Sequence, residues 1–211
     1  LPAPEEVQAF LPPYQAKYAV DFTNPTTFCF GATPEVFAEY KYHQQAAMEA
    51  ARQKITDLAV EFEQLFGRNH GGLIKEYSCE DADYILVTLG SFTGTARTAA
   101  QKLRAMGKKV GVLKVRSFRP FPAHEVARVL ANAKAFGVLD RNYSYGYEGA
   151  LFTEIKASLY DCAVRPPGLN FIGGLGGRDI RLDEFEAMFT KLEQAAGEPG
   201  TVKAVNFIGL R

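Results

Sequence analysis

Tyr84-Ile-Leu-Val-Thr-Leu89 is an apolar run broken only by one threonine, and its length is that of a buried β-strand. A helical pattern follows over residues 93–106 and ends at Gly107, and a second apolar run covers residues 110–115. Strands without polar alternation that are separated by helices are typical of a parallel sheet with both faces covered. This stretch therefore predicts an α/β fold.

The same alternation continues toward the C-terminus of the chain. Helical patterns cover residues 122–133, 148–159 and 182–195, and strand patterns cover residues 136–139, 169–172 and 202–208. Since each strand is followed by a helix, the strands can run parallel with helices on both faces. We expect one α/β domain with a mostly parallel sheet.

The residues before this domain predict an extended arm and a long helix. Residues 1–42 lack helical or alternating periodicity and combine recurrent prolines with aromatic residues, which predicts an extended interdomain linker. A helix is predicted from Tyr42 or His43 to Phe66, with Gly67 as its stop. Its apolar stripe comprises Met48, Ala51, Ile55, Leu58, Phe62 and Leu65. We therefore divide the chain into an arm, 1–42, and an α/β domain, 43–211, that includes the helix 43–66.

The composition excludes several classes of protein. The chain has 211 residues, of which 24 are basic and 24 acidic, and no block of like charge indicates binding to nucleic acid or to an anionic membrane. Its apolar runs are too short to span a bilayer. It begins Leu1-Pro2-Ala3-Pro4 without an initiator methionine, so we expect that its gene begins further upstream.

The cysteines and histidines do not form a recognisable reactive site. Cys29, Cys79 and Cys162 are widely separated, which argues against a zinc site or an iron–sulfur cluster held by this chain and fits a reducing cytoplasm. His43, His70 and His124 form no metal-spaced pair and have no nucleophile beside them in the sequence. We expect half-buried thiols and solvated or capping histidines.

Ligands in open α/β sheets bind beyond the carboxyl ends of the strands, and the loop after the first long strand carries a candidate anion site. The loop Gly90-Ser-Phe-Thr-Gly-Thr95 offers hydroxyl groups and helix N–H groups to a phosphate, through the candidates Ser91, Thr93, Gly94 and Thr95. Thr93 is equally suited to be a helix N-cap. The loop does not match the established nucleotide-binding patterns, so both interpretations stay open.

Two further strand ends carry charged residues. Arg116 and Arg119 leave a strand within Arg116-Ser-Phe-Arg-Pro-Phe-Pro122 and could hold a phosphate or carboxylate, although pairing with acids across a subunit interface is favoured. Asp140 and Arg141 open the loop Asp140-Arg-Asn-Tyr-Ser-Tyr-Gly-Tyr147, where they could satisfy each other and the nearby backbone. The tyrosines of this loop are typical of contact surfaces.

A glycine-rich loop, Gly173-Gly-Leu-Gly-Gly-Arg-Asp179, follows a later strand and adds Arg178 and Asp179 to the candidates. Its four glycines permit close backbone approach. The dinucleotide fingerprint would open directly into a helix early in the chain, whereas this loop occurs late and is separated from its helix. A tight packing loop is the favoured interpretation.

Seven motifs resemble, in family order and over nearly the whole chain, the second domain of the 2-oxoacid:ferredoxin oxidoreductases. They are Leu11-Pro-Pro-Tyr14, Tyr42-x-Gln44-Gln45-x-x-Met48, Gly90-Ser-x-x-Gly-Thr95, Phe118-Arg-Pro-Phe-Pro122, Val138-Leu-Asp-Arg-Asn142, Leu151-Phe-Thr-Glu154 and Asn170-Phe-Ile-x-Gly-Leu-Gly-Gly-Arg-Asp179. The resembling domain belongs to the α subunit of pyruvate:ferredoxin oxidoreductase and is similar to the C-terminal domain of transketolase.

The resemblance implies an enzyme that oxidatively decarboxylates pyruvate with coenzyme A and passes electrons to ferredoxin. It implies thiamine diphosphate, Mg and [4Fe–4S] clusters in other domains or subunits, no cofactor bound by this segment, and an oligomer in the cytoplasm of an anaerobic organism. No catalytic residue is carried over, so we expect this segment to be structural and inactive alone. The alternatives are a free-standing phosphate- or nucleotide-binding protein and an interaction module.

Overall fold

The computed structural model describes residues 2–28, 31–198 and 203–210. Cys29 lies outside the described residues. The chain divides into two compact units, Leu1–His70 and Gly71–Arg211. Among the described residues, no helix is both long enough and apolar enough to cross a membrane.

The first unit contains a short helix, α1 (Pro4–Phe10), within the segment that the sequence predicted to be extended. That prediction was wrong for these seven residues. Pro4 is tolerated because the first helical N–H needs no partner within the helix, and the Glu6 side chain accepts a hydrogen bond of 2.7 Å from the Ala3 N–H. The Phe10 ring lies 5.8 Å and 5.6 Å from the rings of Phe62 and Phe66.

The long helix, α2 (Pro34–Phe66), begins earlier than predicted. Pro34 occupies the first turn, where proline is well suited to a helix, so the predicted start at residue 42 or 43 was wrong. Gly67 adopts the left-handed conformation and ends the helix as predicted. Leu58 and Leu65 are exposed, so the half-buried stripe is narrower than expected. The division into 1–42 and 43–211 stays a prediction.

The second unit contains a mostly parallel six-stranded sheet with the order β1-β3-β2-β4-β5-β6, which confirms the predicted fold class. The strands are β1 (Ile74–Tyr77), β2 (Tyr84–Leu89), β3 (Val110–Val115), β4 (Ala135–Asp140), β5 (Gly168–Ile172) and β6 (Val205–Phe207). Strand β1 pairs antiparallel with β3, and Ile74 lies opposite Val115. The other described pairings are parallel.

Four helices cover the two faces of the sheet. They are α3 (Thr93–Ala105), α4 (Ala123–Leu130), α5 (Ala150–Leu159) and α6 (Leu182–Gly197), and short 3₁₀ turns occur at Gly90–Phe92 and Leu175–Gly177. Helices α3 and α6 pack together over one apolar cluster that contains Phe171 and Phe185. Helices α4 and α5 pack together over a second cluster that contains Phe136 and Phe152.

The order in which the chain adds strands to the sheet reverses between the neighbouring strands β2 and β4. Strand β2 leads through α3 to β3 on one side, whereas β4 leads through α5 to β5 on the other. Helices α3 and α5 lie in different apolar layers, so the loops after β2 and β4 diverge. Such a divergence opens a crevice at the carboxyl ends of the strands, where ligands of α/β proteins commonly bind.

Candidate binding crevice at the carboxyl edge of the sheet

A crevice of about 260 Å³ lies where the strand order reverses. Its walls include four apolar side chains and two polar ones, from Leu89, Phe118, Leu139, Leu151, Arg141 and Asn142. Asp140 and Ala150 complete the lining. The walls come from the ends of β2 and β4, from the loop after β3 and from the first turn of α5, so four segments that are distant in sequence build one concave surface.

Asp140 ends β4 and is 4% exposed, with both carboxylate oxygens directed at neighbouring N–H groups. Its Oδ1 accepts a hydrogen bond of 2.9 Å from the Leu151 N–H, and its Oδ2 accepts one of 3.2 Å from the Phe152 N–H. The Nδ2 of Asn170 donates to the same Oδ2 at 2.9 Å. Asp140 therefore caps α5 from the neighbouring strand.

Two asparagines complete this cap. The Gly149 N–H donates to Oδ1 of the buried Asn170 at 2.7 Å, and the Ala150 N–H donates to Oδ1 of Asn142 at 3.2 Å. The consecutive N–H groups from Gly149 to Phe152 are thus all bonded to side chains. A helix N-terminus binds an anion through such N–H groups, so the start of α5 is already satisfied by the protein itself.

The protonation of Asp140 is shifted by its surroundings. Burial raises the pKa of Asp140, because removal from water disfavours the carboxylate, and this effect outweighs the hydrogen bonds from Leu151, Asn170 and Phe152, which lower the pKa. Glu148, also buried, adds a small further rise. The carboxyl group has a structural role in the α5 cap, and its two oxygens face the helix.

Arg141 follows Asp140 but has different partners. Its guanidinium lies over the Phe92 ring, 5.1 Å from the ring centroid. Gly174, with φ +73°, brings the loop after β5 so close that an added Cβ would lie 2.5 Å from the Phe92 ring and 3.4 Å from Arg141 Nε. Three loops therefore meet at Arg141. Asp140 and Arg141 do not pair with each other: Asp140 binds backbone N–H groups of α5, and Arg141 lies over Phe92.

The loop after β2 does not present its hydroxyl groups as one anion cradle. Thr93 is buried, and its Oγ1 lies 3.0 Å from Thr88 Oγ1 and donates to the Gly90 carbonyl at 2.9 Å. The helix α3 begins at Thr93 itself, with Phe92 before it and no side-chain cap, so the N-cap interpretation was wrong. Ser91 and Gly94 are exposed and Thr95 is half-buried; whether they bind an anion stays a prediction.

Arg116 and Arg119 bind separate partners. Arg116 Nη1 donates to the carbonyls of Gly71 and Gly72. Arg119 Nη2 pairs with Glu154 Oε1 on α5 at 2.5 Å, and its guanidinium lies over the Phe118 ring. Their side chains are engaged with the chain's own backbone and with α5, so the structure does not bring them together as one clamp.

Arg178 and Asp179 also have local partners. Arg178 Nη1 donates to the Gly209 carbonyl, and Asp179 Oδ1 accepts from the Ile180 N–H at 3.0 Å. Arg178 lines a separate depression with Leu175 and Phe207. Gly174 and Gly176 have positive φ values of 73° and 63° in the glycine-rich loop. This conformation suits the packing loop favoured by the sequence.

The thiols and histidines show no shared reactive geometry in the described part of the chain. Burial raises the pKa of Cys79 to about 12, and its Sγ lies 3.5 Å from the Val112 carbonyl. Because the thiolate is the reactive form of cysteine, this buried thiol is unreactive. His43 and His70 contact the rings of Tyr42 and Phe62. No group of three or more His, Cys, Asp or Glu residues in residues 2–28, 31–198 and 203–210 could hold a metal ion.

Sequence analysis missed Asn170 and Glu148. Asn170 is 0% exposed inside an apolar strand, and Glu148 is 5% exposed and bonded to Lys156 Nζ at 2.7 Å and Thr153 Oγ1 at 2.9 Å. A single amide within the run Leu169 to Ile172 was the available signal, because buried polar groups require hydrogen-bond partners.

Residues 82–185 match the family described as pyruvate:ferredoxin oxidoreductase core domain II. The chain is 42% identical over 196 residues to pyruvate synthase subunit PorA of Methanosarcina barkeri, an alignment that covers 92% of this chain and 49% of the relative. It is also 42% identical over 185 residues to ketoisovalerate oxidoreductase subunit VorA of Pyrococcus abyssi, covering 87% of this chain and 47% of that one.

A solved structure of 2-oxoglutarate:ferredoxin oxidoreductase from Magnetococcus marinus, with 2-oxoglutarate, coenzyme A and succinyl-CoA bound, aligns with 65% of this chain and 23% of its own chain. The sequence identity is 18% and the TM-score is 0.44. The chain spans about half the length of the curated relatives that it matches.

Proposed function

We propose that the chain, whose residues 82–185 match the pyruvate:ferredoxin oxidoreductase core domain II family, is the second-domain part of a 2-oxoacid:ferredoxin oxidoreductase α subunit. The whole enzyme would oxidatively decarboxylate a 2-oxoacid with coenzyme A and pass the electrons to ferredoxin. Pyruvate is the proposed 2-oxoacid, by the resemblance to PorA. Within that enzyme, this segment would shape the assembly and carry no catalytic group.

The observation that carries this proposal is the internal use, at the carboxyl edge, of the α5 N–H groups and of Arg116 and Arg119. The N–H groups at the start of α5 are bonded to Asp140, Asn142 and Asn170. Arg116 and Arg119 are bonded to carbonyl groups and to Glu154. Polar groups that are already hydrogen-bonded within the domain favour the interpretation of this edge as a rigid packing surface over its interpretation as a site of covalent chemistry.

The donor set of the described residues does not fit the cofactors implied for the whole enzyme. A [4Fe–4S] cluster requires cysteine thiolates that converge on one point, and the described residues hold no such group. We therefore assign thiamine diphosphate, Mg and the clusters to other domains or subunits and derive no step through them here.

The partners proposed for this segment are the other domains or subunits of the oxidoreductase, in an oligomer located in the cytoplasm. Four aromatic side chains of the arm are exposed and available for such contacts: Tyr14, Tyr18, Phe22 and Phe28. Exposed aromatic residues are enriched at protein interfaces and dominate their binding energy. Ferredoxin and coenzyme A would be partners of the whole enzyme.

We expect the chain to associate with the remaining polypeptides of the oxidoreductase. The experiment is coexpression of the tagged chain with those polypeptides, followed by affinity purification and size-exclusion chromatography. Co-elution in a defined ratio is the expected result. Elution of the chain alone, with the remaining polypeptides assembled without it, would contradict the proposed assembly function and favour a free-standing protein.

A further inference from the structure

We propose that the crevice beside Arg141 is a binding site for a small monocarboxylate with an apolar body. The volume of about 260 Å³ is at the small end for ligand sites. Its geometry combines one guanidinium with a mostly apolar wall, which matches a ligand that is charged at one end only. This inference does not rest on the proposed function, since every lining residue belongs to the α/β unit of this chain.

The guanidinium of Arg141 is held in place while its hydrogen-bond donors stay available. The guanidinium lies over Phe92, 5.1 Å from the ring centroid, and its N–H groups can bind a carboxylate in a two-pronged arrangement. Among the described residues, none accepts a hydrogen bond from Arg141. By contrast, Arg104 is bonded to both oxygens of Asp81 and to the Val110 carbonyl. Arg141 is therefore positioned to receive an anion from outside.

Asn142 gives the crevice a second donor. Its Oδ1 accepts from the Ala150 N–H at 3.2 Å, so the Nδ2 group of the same amide remains a donor. In the described part of the chain no acceptor holds that Nδ2 group. A guanidinium and an amide N–H group from adjacent residues can bind the two oxygens of one carboxylate.

The remaining wall determines the body of the ligand. Leu89 is 40% exposed, and with Phe118, Leu139 and Leu151 it lines the crevice with carbon atoms. Transfer of an apolar group from water onto such a surface is favourable in proportion to the area buried. A branched or aromatic acid should consequently bind better than acetate, which has almost no apolar body.

The nearby Asp140 does not prevent this binding. Both of its oxygens are turned toward α5 and accept hydrogen bonds from Leu151, Phe152 and Asn170. Its negative charge therefore lies at the positive end of a helix, which compensates for it. Arg141 remains the charged group that faces the crevice without a bonded partner among the described residues.

The test is isothermal titration calorimetry of the whole chain with phenylacetate, with phenylacetamide as the neutral isostere and acetate as the acid without an apolar body. We expect a Kd of about 1 mM or below for phenylacetate, as is reasonable for a ligand of this size. Phenylacetamide and acetate should each bind about tenfold more weakly or worse. Chemical-shift changes at the amides of Asn142 and Leu151 should accompany phenylacetate binding.

Two matched variants locate the site. Arg141→Gln should weaken phenylacetate binding about tenfold or more, because the charge-assisted hydrogen bonds are lost. Arg97→Gln is the control, since Arg97 stacks over Tyr77 in a different pocket. The affinity of this variant for phenylacetate should equal that of the wild type. Equal binding of phenylacetate and phenylacetamide, wild-type affinity in Arg141→Gln, or no binding up to about 10 mM would each overturn the proposal.

Discussion

Replacing Asp140 with alanine should lower the free energy of unfolding of the α/β unit by about 2–4 kcal/mol. The carboxylate accepts hydrogen bonds from the Leu151 N–H, the Phe152 N–H and Asn170 Nδ2, and all three donors are buried beside it. Its removal leaves the Leu151 and Phe152 N–H groups without their acceptor, while Asn170 Nδ2 keeps only the Val138 carbonyl. A buried unsatisfied polar group costs more than a hydrogen bond contributes on average. Urea denaturation at about pH 7 measures the difference.

Asp161→Ala is the matched control for Asp140→Ala. Asp161 lies in the exposed turn after α5, so the same chemical change should alter stability by about 0.5 kcal/mol or less. If Asp140→Ala and Asp161→Ala unfolded at the same urea concentration, Asp140 would not hold α5 in the way described.

The pH dependence follows from the raised pKa of Asp140. A folded-state pKa above the unfolded value means that the folded state favours the protonated carboxyl group. The associated stability is fully present below the unfolded pKa and is lost as pH rises through the folded pKa. The stability difference between the wild type and Asp140→Ala should therefore shrink as pH rises above the unfolded carboxyl pKa of about 4. An increase in this difference with rising pH would contradict the direction of the shift.

Substituting serine for the three aromatic residues at positions 14, 18 and 22 should weaken association with the rest of the oxidoreductase by tenfold or more. The side chains of Tyr14, Tyr18 and Phe22 are 91%, 65% and 93% exposed. Under the proposed function these rings become buried against a partner, and aromatic anchors commonly carry more than about 1 kcal/mol each at interfaces. Biolayer interferometry with the immobilised variant measures the change.

Tyr160→Ser is the control for the arm, because Tyr160 is 73% exposed at the end of α5 in the other unit. It should leave association unchanged. The urea midpoint of the α/β unit should be equal in the wild type and in the arm variant. Unchanged affinity of the arm variant would show that the arm is not a contact surface for the proposed partners.

The architecture was predictable where the hydrophobic pattern is strong. The strands Tyr84–Leu89 and Val110–Val115 have the predicted bounds, since each is apolar on both faces. Strand β1 was missed because Ile74-Lys-Glu-Tyr77 is short, half polar and at the sheet edge. Helix α1 was missed because its prolines and aromatic neighbours were interpreted as an extended arm.

The site was predictable only in part. The strand ends that carry Asp140 and Arg141 were identified, because their position depends on the order of strands and helices. Their partners were not, since Asn170 is 30 residues from Asp140 in sequence and the stack of Arg141 on Phe92 joins two separate loops. A shared anion was only one of the alternatives for Arg116 and Arg119, and their partners, the Gly72 carbonyl and Glu154, are set by contacts that form on folding.

The most direct test of the central claim is a dye-reduction assay of the chain alone and of the chain assembled with the remaining polypeptides. Both samples receive pyruvate, coenzyme A, thiamine diphosphate, Mg and methyl viologen. Since this segment is proposed to support an active site located elsewhere, the chain alone should reduce no dye above background, whereas the assembly should do so. Pyruvate-dependent dye reduction by the purified chain alone would contradict the account.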